Sequence, residues 1–173
     1  MKRLIALIAF LAVPGIAQAQ TQSILTKFVQ QSPTVDTSAY AAGDTVGALM
    51  TFTNVCEPKT KRGQLLGVKI FDKSATGADI DLVLFNSLPT GNGTFTDNAA
   101  FDPDDALLPY IAAYVAITTH KSFNDNGISY AADIVRPVKC NANSTLYGYL
   151  VARAARTQAA AADITVQLEV VAD

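Results

Sequence analysis

From about residue 23 onward the chain alternates apolar and polar side chains with a period of two, in one short run after another, each bounded by Gly, Pro, Asn or Asp. The last run is the clearest. Ile164, Val166, Leu168 and Val170 fall on one side and Thr165, Gln167 and Glu169 on the other, as a half-buried strand requires. The same alternation groups Leu66, Val68 and Ile70 on one face, Ile80, Leu82 and Leu84 on a face of another strand, and Val46, Ala48, Met50 and Phe52 on a third. Further strands are predicted over 108–118, 128–135 and 145–153, and a less defined one between 23 and 30. About seven or eight antiparallel strands at this spacing predict an all-β fold, a single-domain β-sandwich of jelly-roll-like type.

Two segments interrupt the pattern. The Ala-rich stretch 152–162 has helix propensity, but it lies between two good strands and is expected to be a hairpin connection with at most a turn of helix. Over 102–108 one short helical turn is predicted: Asp102 can cap it, Pro103 suits its first position, and Asp104 and Asp105 complement the positive end of its dipole. Pro109 disfavours helix at Leu108 and so limits its length. Asp97, Asp102, Asp104 and Asp105 are also hard oxygen donors and hence calcium candidates. Their spacing is not that of an EF-hand loop, and the capped turn accounts for them better. No cofactor is expected.

Ahead of the β pattern, Met1-Lys2-Arg3 forms a positive n-region, residues 4–13 an apolar run too short to span a bilayer, Pro14-Gly15 a helix break, and Ala17-Gln18-Ala19 a small-x-small cleavage pattern. The expectation is a signal peptide over 1–19 and a single β-sandwich domain over 20–173, with 20–37 as an extended N-terminal arm. Export, periplasmic or extracellular, follows. Cys56 and Cys140, an even pair in an oxidising compartment, are then most simply one disulfide. Without Lys2 and Arg3 the Lys+Arg count falls from 13 to 11 against 15 Asp+Glu, a formal charge of −4. That balance argues against nucleic acid, or a membrane after cleavage, as partner. Half of the residues are hydrophobic and 16% charged, rich enough in apolar surface for oligomerisation to be the simplest reading.

Two strands lack the polar outer face of a solvated sheet. Ile111, Ala113, Val115 and Ile117 are opposed by Tyr110, Ala112, Tyr114 and Ala116, and Leu146, Gly148 and Leu150 by Tyr147, Tyr149 and Val151. Such strands are covered either within the domain or by another subunit, and tyrosine is favoured where one end of a ring stays wet. Tyr110, Tyr114, Tyr147, Tyr149 and Val151 are therefore the interface candidates.

Catalytic residues are not legible. His120, the only histidine, lies in the polar stretch 118–122 and is expected in an exposed loop. Asp79 and Asp81 share a strand face, where solvent exposure explains them without a glycosidase role. The basic groups Lys59, Lys61 and Arg62, and Arg153 and Arg156, are expected on solvated loops. Asn92-Gly93-Thr94 and Asn143-Ser144-Thr145 match glycosylation sequons that turn formation explains as well.

The segments SAYAAGDTVG (38–47), DIDLVLFNSLPTGNGTFTDNAAFDPDD (79–105) and TLYGYLVARAARTQAAAADITVQLEVVAD (145–173) carry a resemblance. A Tyr-Ala-x-Gly-Asp start, an "LxLF" strand, an "FTDNAAF" loop, an "LYG" strand and an alternating C-terminus ending in Asp, in this order, resemble small tailed-phage virion proteins. The resemblance implies a capsid decoration or accessory role, a virion location and assembly onto a repeating protein lattice without any reaction. The signal peptide and disulfide depart from that group, because a capsid built in the reducing cytoplasm needs neither. They move the expectation towards a secreted surface-layer, filament or matrix subunit. A non-enzymatic assembly protein that partners itself is expected; a secreted binding module for carbohydrate or a cell-surface receptor is the alternative.

Overall fold

The computed structural model describes residues 25–74, 76–90 and 93–172. The expected leader over 1–19 and Asn92 of the first sequon lie outside the described residues. Twelve strands follow in order: β1 (Thr26–Gln31), β2 (Thr45–Phe52), β3 (Arg62–Asp72), β4 (Ile80–Phe85), β5 (Gly93–Thr94), β6 (Asp102–Pro103), β7 (Ile111–Ile117), β8 (Thr119–Ser122), β9 (Gly127–Ala131), β10 (Arg136–Lys139), β11 (Leu146–Ala152) and β12 (Ile164–Ala172). A 3-10 helix, Asp105–Tyr110, precedes β7.

All pairings are antiparallel. One sheet runs β1-β12-β3-β9-β8, with β10 also on β3, and the other runs β2-β11-β4-β7. The chain crosses the sandwich between β1 and β2 and again between β3 and β4. On its return β11 fills the place between β2 and β4, and β12 the place between β1 and β3. This nesting of two sheets is the connectivity of a jelly roll. Its eight strands, β1 to β4, β7, β9, β11 and β12, are the ones that the period-two pattern predicts.

Between the layers Leu65, Val68, Ile70, Val166, Leu168 and Val170 meet Val46, Met50, Phe52, Leu82, Leu84 and Leu150, all of them buried. Three of the predicted face assignments are corrected here, and a break in strand register is the reason each time: in β7 it steps from Ala113 opposite Leu84 to Ile111 opposite Phe85, so Ala112 packs against the core and Ile111 on the outer face. In β3 the register steps from Gly67 opposite Glu169 to Leu65 opposite Val170, so Leu66 is the extra residue: Leu65 takes the core position and Leu66 is half-exposed. In β2 it steps from Val46 opposite Leu150 to Met50 opposite Gly148, and Ala48 is turned outward. Gly47 makes that step possible. Its φ is +79°, and a Cβ there would stand 2.9 Å from Val35 Cγ1 and 3.0 Å from the Thr34 carbonyl.

Other expectations are also corrected. Residues 26–31 are a full strand of the sheet and Val35 is buried, so this part of the 20–37 segment belongs to the sandwich and is not an arm. The connection 153–163 joins strands of different sheets, so it is a crossover and not a hairpin. The helical turn is shifted by about one element: Asp102 and Pro103 pair with β5, and Asp104 caps the helix by accepting from Ala106 N at 3.0 Å. Pro109 sits inside this helix, in its last turn, with no N–H to donate to the preceding turn.

Candidate interaction face

The outer face of the four-stranded sheet is apolar, and the chain itself covers most of it. Residues 86–90 leave β4, and residues 93–110 lie over Val83 and Phe85 of β4 and over Tyr147, Tyr149 and Val151 of β11 and lead into β7. Phe95, Phe101 and Leu107 form the underside of this cover. Phe95 stacks on Tyr149 with ring centroids 4.9 Å apart and planes 8° from parallel, and it meets Phe85 edge-on at 6.3 Å.

Asp97 fastens the cover to the sandwich. Its carboxylate accepts from the Tyr40 hydroxyl at 2.8 Å and from Gly47 N at 2.6 Å. Tyr40 is buried, and burial together with the hydrogen bond to Asp97 pushes its phenol well above the usual tyrosine range. The calcium candidates therefore have separate places: Asp97 pins the loop, Asp102 lies in β6, Asp104 caps the 3-10 helix and Asp105 opens its first turn. Among the described residues no group of three or more His, Cys, Asp or Glu is placed to hold a metal ion.

The interface candidates separate accordingly. Tyr149 is buried, and that burial raises its phenol. Tyr147 is half-buried with its hydroxyl accepting from Asn141 Nδ2 at 3.3 Å, and Val151 is half-buried. Tyr110 and Tyr114 are 47% and 46% exposed, next in sequence to Leu108 at 50%. Asn86 N donates to the Tyr110 carbonyl at 2.9 Å, which brings the segment carrying the exposed Leu88 alongside. Where the cover stops, a half-open cavity of about 190 Å³ remains, lined by Asp81, Val83, Phe101, Ile111, Tyr114 and Val151. Asp81 is buried here and not solvated as expected. Arg153 Nε stands 3.7 Å from its Oδ1, inside ion-pair range but too far for a hydrogen bond. The Tyr114 phenol is pushed up by burial and by its hydrogen bond to Asp81.

Three other polar groups are tied across the fold. His120 is not in a loop: it lies on β8, opposite Ser129 of β9. Its Nδ1 is 2.7 Å from Ser129 Oγ and its Nε2 2.8 Å from Asp79 Oδ1. This is a serine, a histidine and an aspartate in one hydrogen-bonded line, but Ser129 is buried and points between the sheets. The arrangement clamps the segment before β4 onto the β8-β9 hairpin. Arg156 is likewise not on a solvated loop. It is buried and ion-paired with Asp72, Nη2 to Oδ2, at 3.2 Å. Finally, Cys56 and Cys140 form a disulfide, with Cα atoms 6.1 Å apart, between the β2-β3 connection and the end of β10. The bridge is compatible with an oxidising compartment. Lys59 is exposed on the β2-β3 connection, as expected, whereas Lys61 is half-buried and Arg62, though exposed, opens β3 opposite Lys139 of β10. Asn143 of the second sequon is exposed in a turn next to Cys140, where Asn141 Oδ1 accepts its backbone N–H at 2.9 Å.

Three carboxyls are held below the usual range, Glu57 among them through the backbone N–H groups of Thr60 and Lys59. Asp36 is lowered by the Ser38 backbone N–H and the Asn98 amide, and Asp163 by the Ser74 hydroxyl and the Ala160 N–H. Since the folded chain keeps these groups ionised where the unfolded chain takes up protons, stability falls as pH falls. It is expected to stay level down to about pH 4 and to drop steadily below that. Urea midpoints between pH 6 and 2.5 measure the slope, and Asp163→Asn is expected to flatten it.

The chain matches no protein-family model and no curated protein.

Proposed function

We propose that this chain is a non-enzymatic structural protein that assembles with copies of itself or coats a repeating protein lattice or an extracellular filament. One observation carries the reading: the apolar cover over the four-stranded sheet ends short of β7, leaving Tyr114 exposed at a half-open cavity and Leu88, Leu108 and Tyr110 exposed along the segments that leave β4 and enter β7. Contiguous exposed apolar surface rimmed by polar groups marks interaction sites, and tyrosine is enriched at their centres. The resemblance to small tailed-phage virion proteins supports the same reading, and with it a virion location. Jelly rolls serve in viral capsids and lectins alike, which is an analogy of fold only. The leader pattern and the disulfide support export to the periplasm or the cell exterior, with neither nucleic acid nor membrane as partner.

Size-exclusion chromatography with light scattering on the mature chain is expected to give a discrete oligomer or a polymer. Leu108→Ser with Tyr114→Ser is expected to shift that species towards monomer or to abolish coating of the lattice. A chain that stays monomeric at every concentration and binds no protein lattice sinks the reading.

A different surface favours the second reading, a secreted binding module for carbohydrate. On the outer face of the six-stranded sheet the exposed rings of Phe28 and Tyr130 and the half-buried Phe71 alternate with Gln30 and Gln167. A strict monomer whose melting temperature rises with added glycan selects that module instead.

A further inference from the structure

Sheet edges present unpaired N–H and C=O groups, and folded chains protect them with charge, proline, bulges, short length or a cover. Four of the edges here are protected in these ways. Along β2, Ala48 N donates to the Thr34 carbonyl, Thr45 N to the Ala99 carbonyl and Gly47 N to Asp97. The middle of β7 is occupied by Arg136, whose guanidinium donates to the Tyr114 carbonyl at 2.5 Å. β8 is four residues long and carries Lys121, and β10 reads Arg-Pro-Val-Lys. β1 differs. It pairs with β12 in unbroken register from Thr26 to Gln31, has no proline and no bulge, and carries one charge, Lys27. Among the described residues no backbone group bonds its other edge. It also displays Phe28 at 57% exposure, with Leu25 at 71% just before it.

We infer that β1 is the docking edge for β1 of a second copy, paired antiparallel about a two-fold axis centred on Phe28 so that the six-stranded sheets of two molecules become continuous. This rests on the reading that the chain assembles with itself, and it adds a second contact to the one at the Tyr114 face. Directly opposed residues of an antiparallel pair share a face, and a two-fold perpendicular to the sheet keeps outer face with outer face. A residue on the axis must therefore oppose its own copy: Lys27, Phe28 or Val29. Centring on Lys27 opposes like charges, which is unfavourable. Centring on Val29 runs the pairing into Pro33. Centring on Phe28 engages the whole of residues 25–31. It places ring against ring on the outer face and sets Lys27 against Val29, Thr26 against Gln30 and Leu25 against Gln31. A single pair of strands buries less than the roughly 1,200 Å² of stable complexes, so the contact is reversible and depends on concentration.

The test exchanges charge at the axis of the mature protein. Phe28→Lys places an ammonium opposite Glu169 within the same chain, and Phe28→Glu a carboxylate beside Lys69, whose Nζ lies 5.9 Å from the Phe28 ring. Both variants are expected to keep the fold, checked by circular dichroism and by the intact disulfide. By sedimentation, each alone is expected to dimerise about ten-fold more weakly than the parent, and their equimolar mixture to recover parental affinity through a Lys-Glu pair across the axis. If the parent associates but the variants match it, or if mixing restores nothing, the β1 edge is overturned while self-assembly stands on another surface. A parent that never associates overturns the β1 edge and self-assembly together, and leaves of the proposed function only the coating of a lattice. Hydrogen exchange gives a further check: β1 amides protected to the same degree at all protein concentrations mean that the chain's own residues cover this edge, and the inference fails.

Discussion

Arg156→Met is expected to destabilise the fold by about 3–5 kcal/mol, the usual cost of removing one member of a buried ion pair. Both side chains of the pair are nearly inaccessible, 2% for Arg156 and 4% for Asp72. The guanidinium is disfavoured by burial and stabilised by the Asp72 charge. It also donates to Thr76 Oγ1 at 3.2 Å, and the Gln158 amide, oriented with its oxygen towards the guanidinium, accepts from Nε at 3.1 Å and from Nη2 at 2.6 Å. Methionine fills much of the volume but leaves the Asp72 carboxylate buried without its counter-charge. Pairing the change with Asp72→Asn removes that charge, so the double variant is expected to lose clearly less than the sum of the two single ones. Chemical denaturation measures all three. A loss within 1 kcal/mol for Arg156→Met alone would show that the network is dispensable.

The second large effect lies in the covalent link. Cys56 and Cys140 are 84 positions apart, and closing so long a loop removes about 4–5 kcal/mol of freedom from the unfolded chain in the entropy model, with measured values more often about 2–4 kcal/mol. The Cys56→Ala, Cys140→Ala double variant is expected to melt on the order of 10 °C lower than the parent. Reductant is expected to lower the parent to the same temperature and to leave the double variant unmoved. Equal melting of parent and variant would mean that the bridge constrains nothing the sheets do not already hold.

The eight jelly-roll strands were legible because alternation at period two is a local property. Parity is fragile, however: extra residues at a register break interrupt it, one each in β3 and β7 and two in β2, which is why Leu66, Ile111 and Ala48 were assigned to the wrong face while the strands that carry them were found. β8 offers no apolar alternation over Thr119–Ser122, and the signal that marks it is its turn, Asn124-Asp125-Asn126-Gly127, where Phe123 N donates to the Asn126 carbonyl at 2.7 Å. The misplaced polar residues share another cause. Arg156 finds Asp72, 84 positions earlier, and His120 finds Asp79, 41 positions earlier, so neither pairing can be read from neighbours in the chain. At the candidate face the pattern showed that the outer side of β11 needs a cover. That Phe95 and Phe101 supply it for Tyr149, and leave Tyr110 and Tyr114 outside, depends on how residues 93–110 fold back.

β12 carries a consequence for how the molecule is made. It lies in the interior of its sheet, hydrogen-bonded to β1 on one side and to β3 on the other, although about 130 positions separate it from β1. Without residues 164–172, β1 has no neighbour in its sheet and one edge of β3 stands open. The sheet is therefore closed by pairings of very long range, a topology that makes for slow folding.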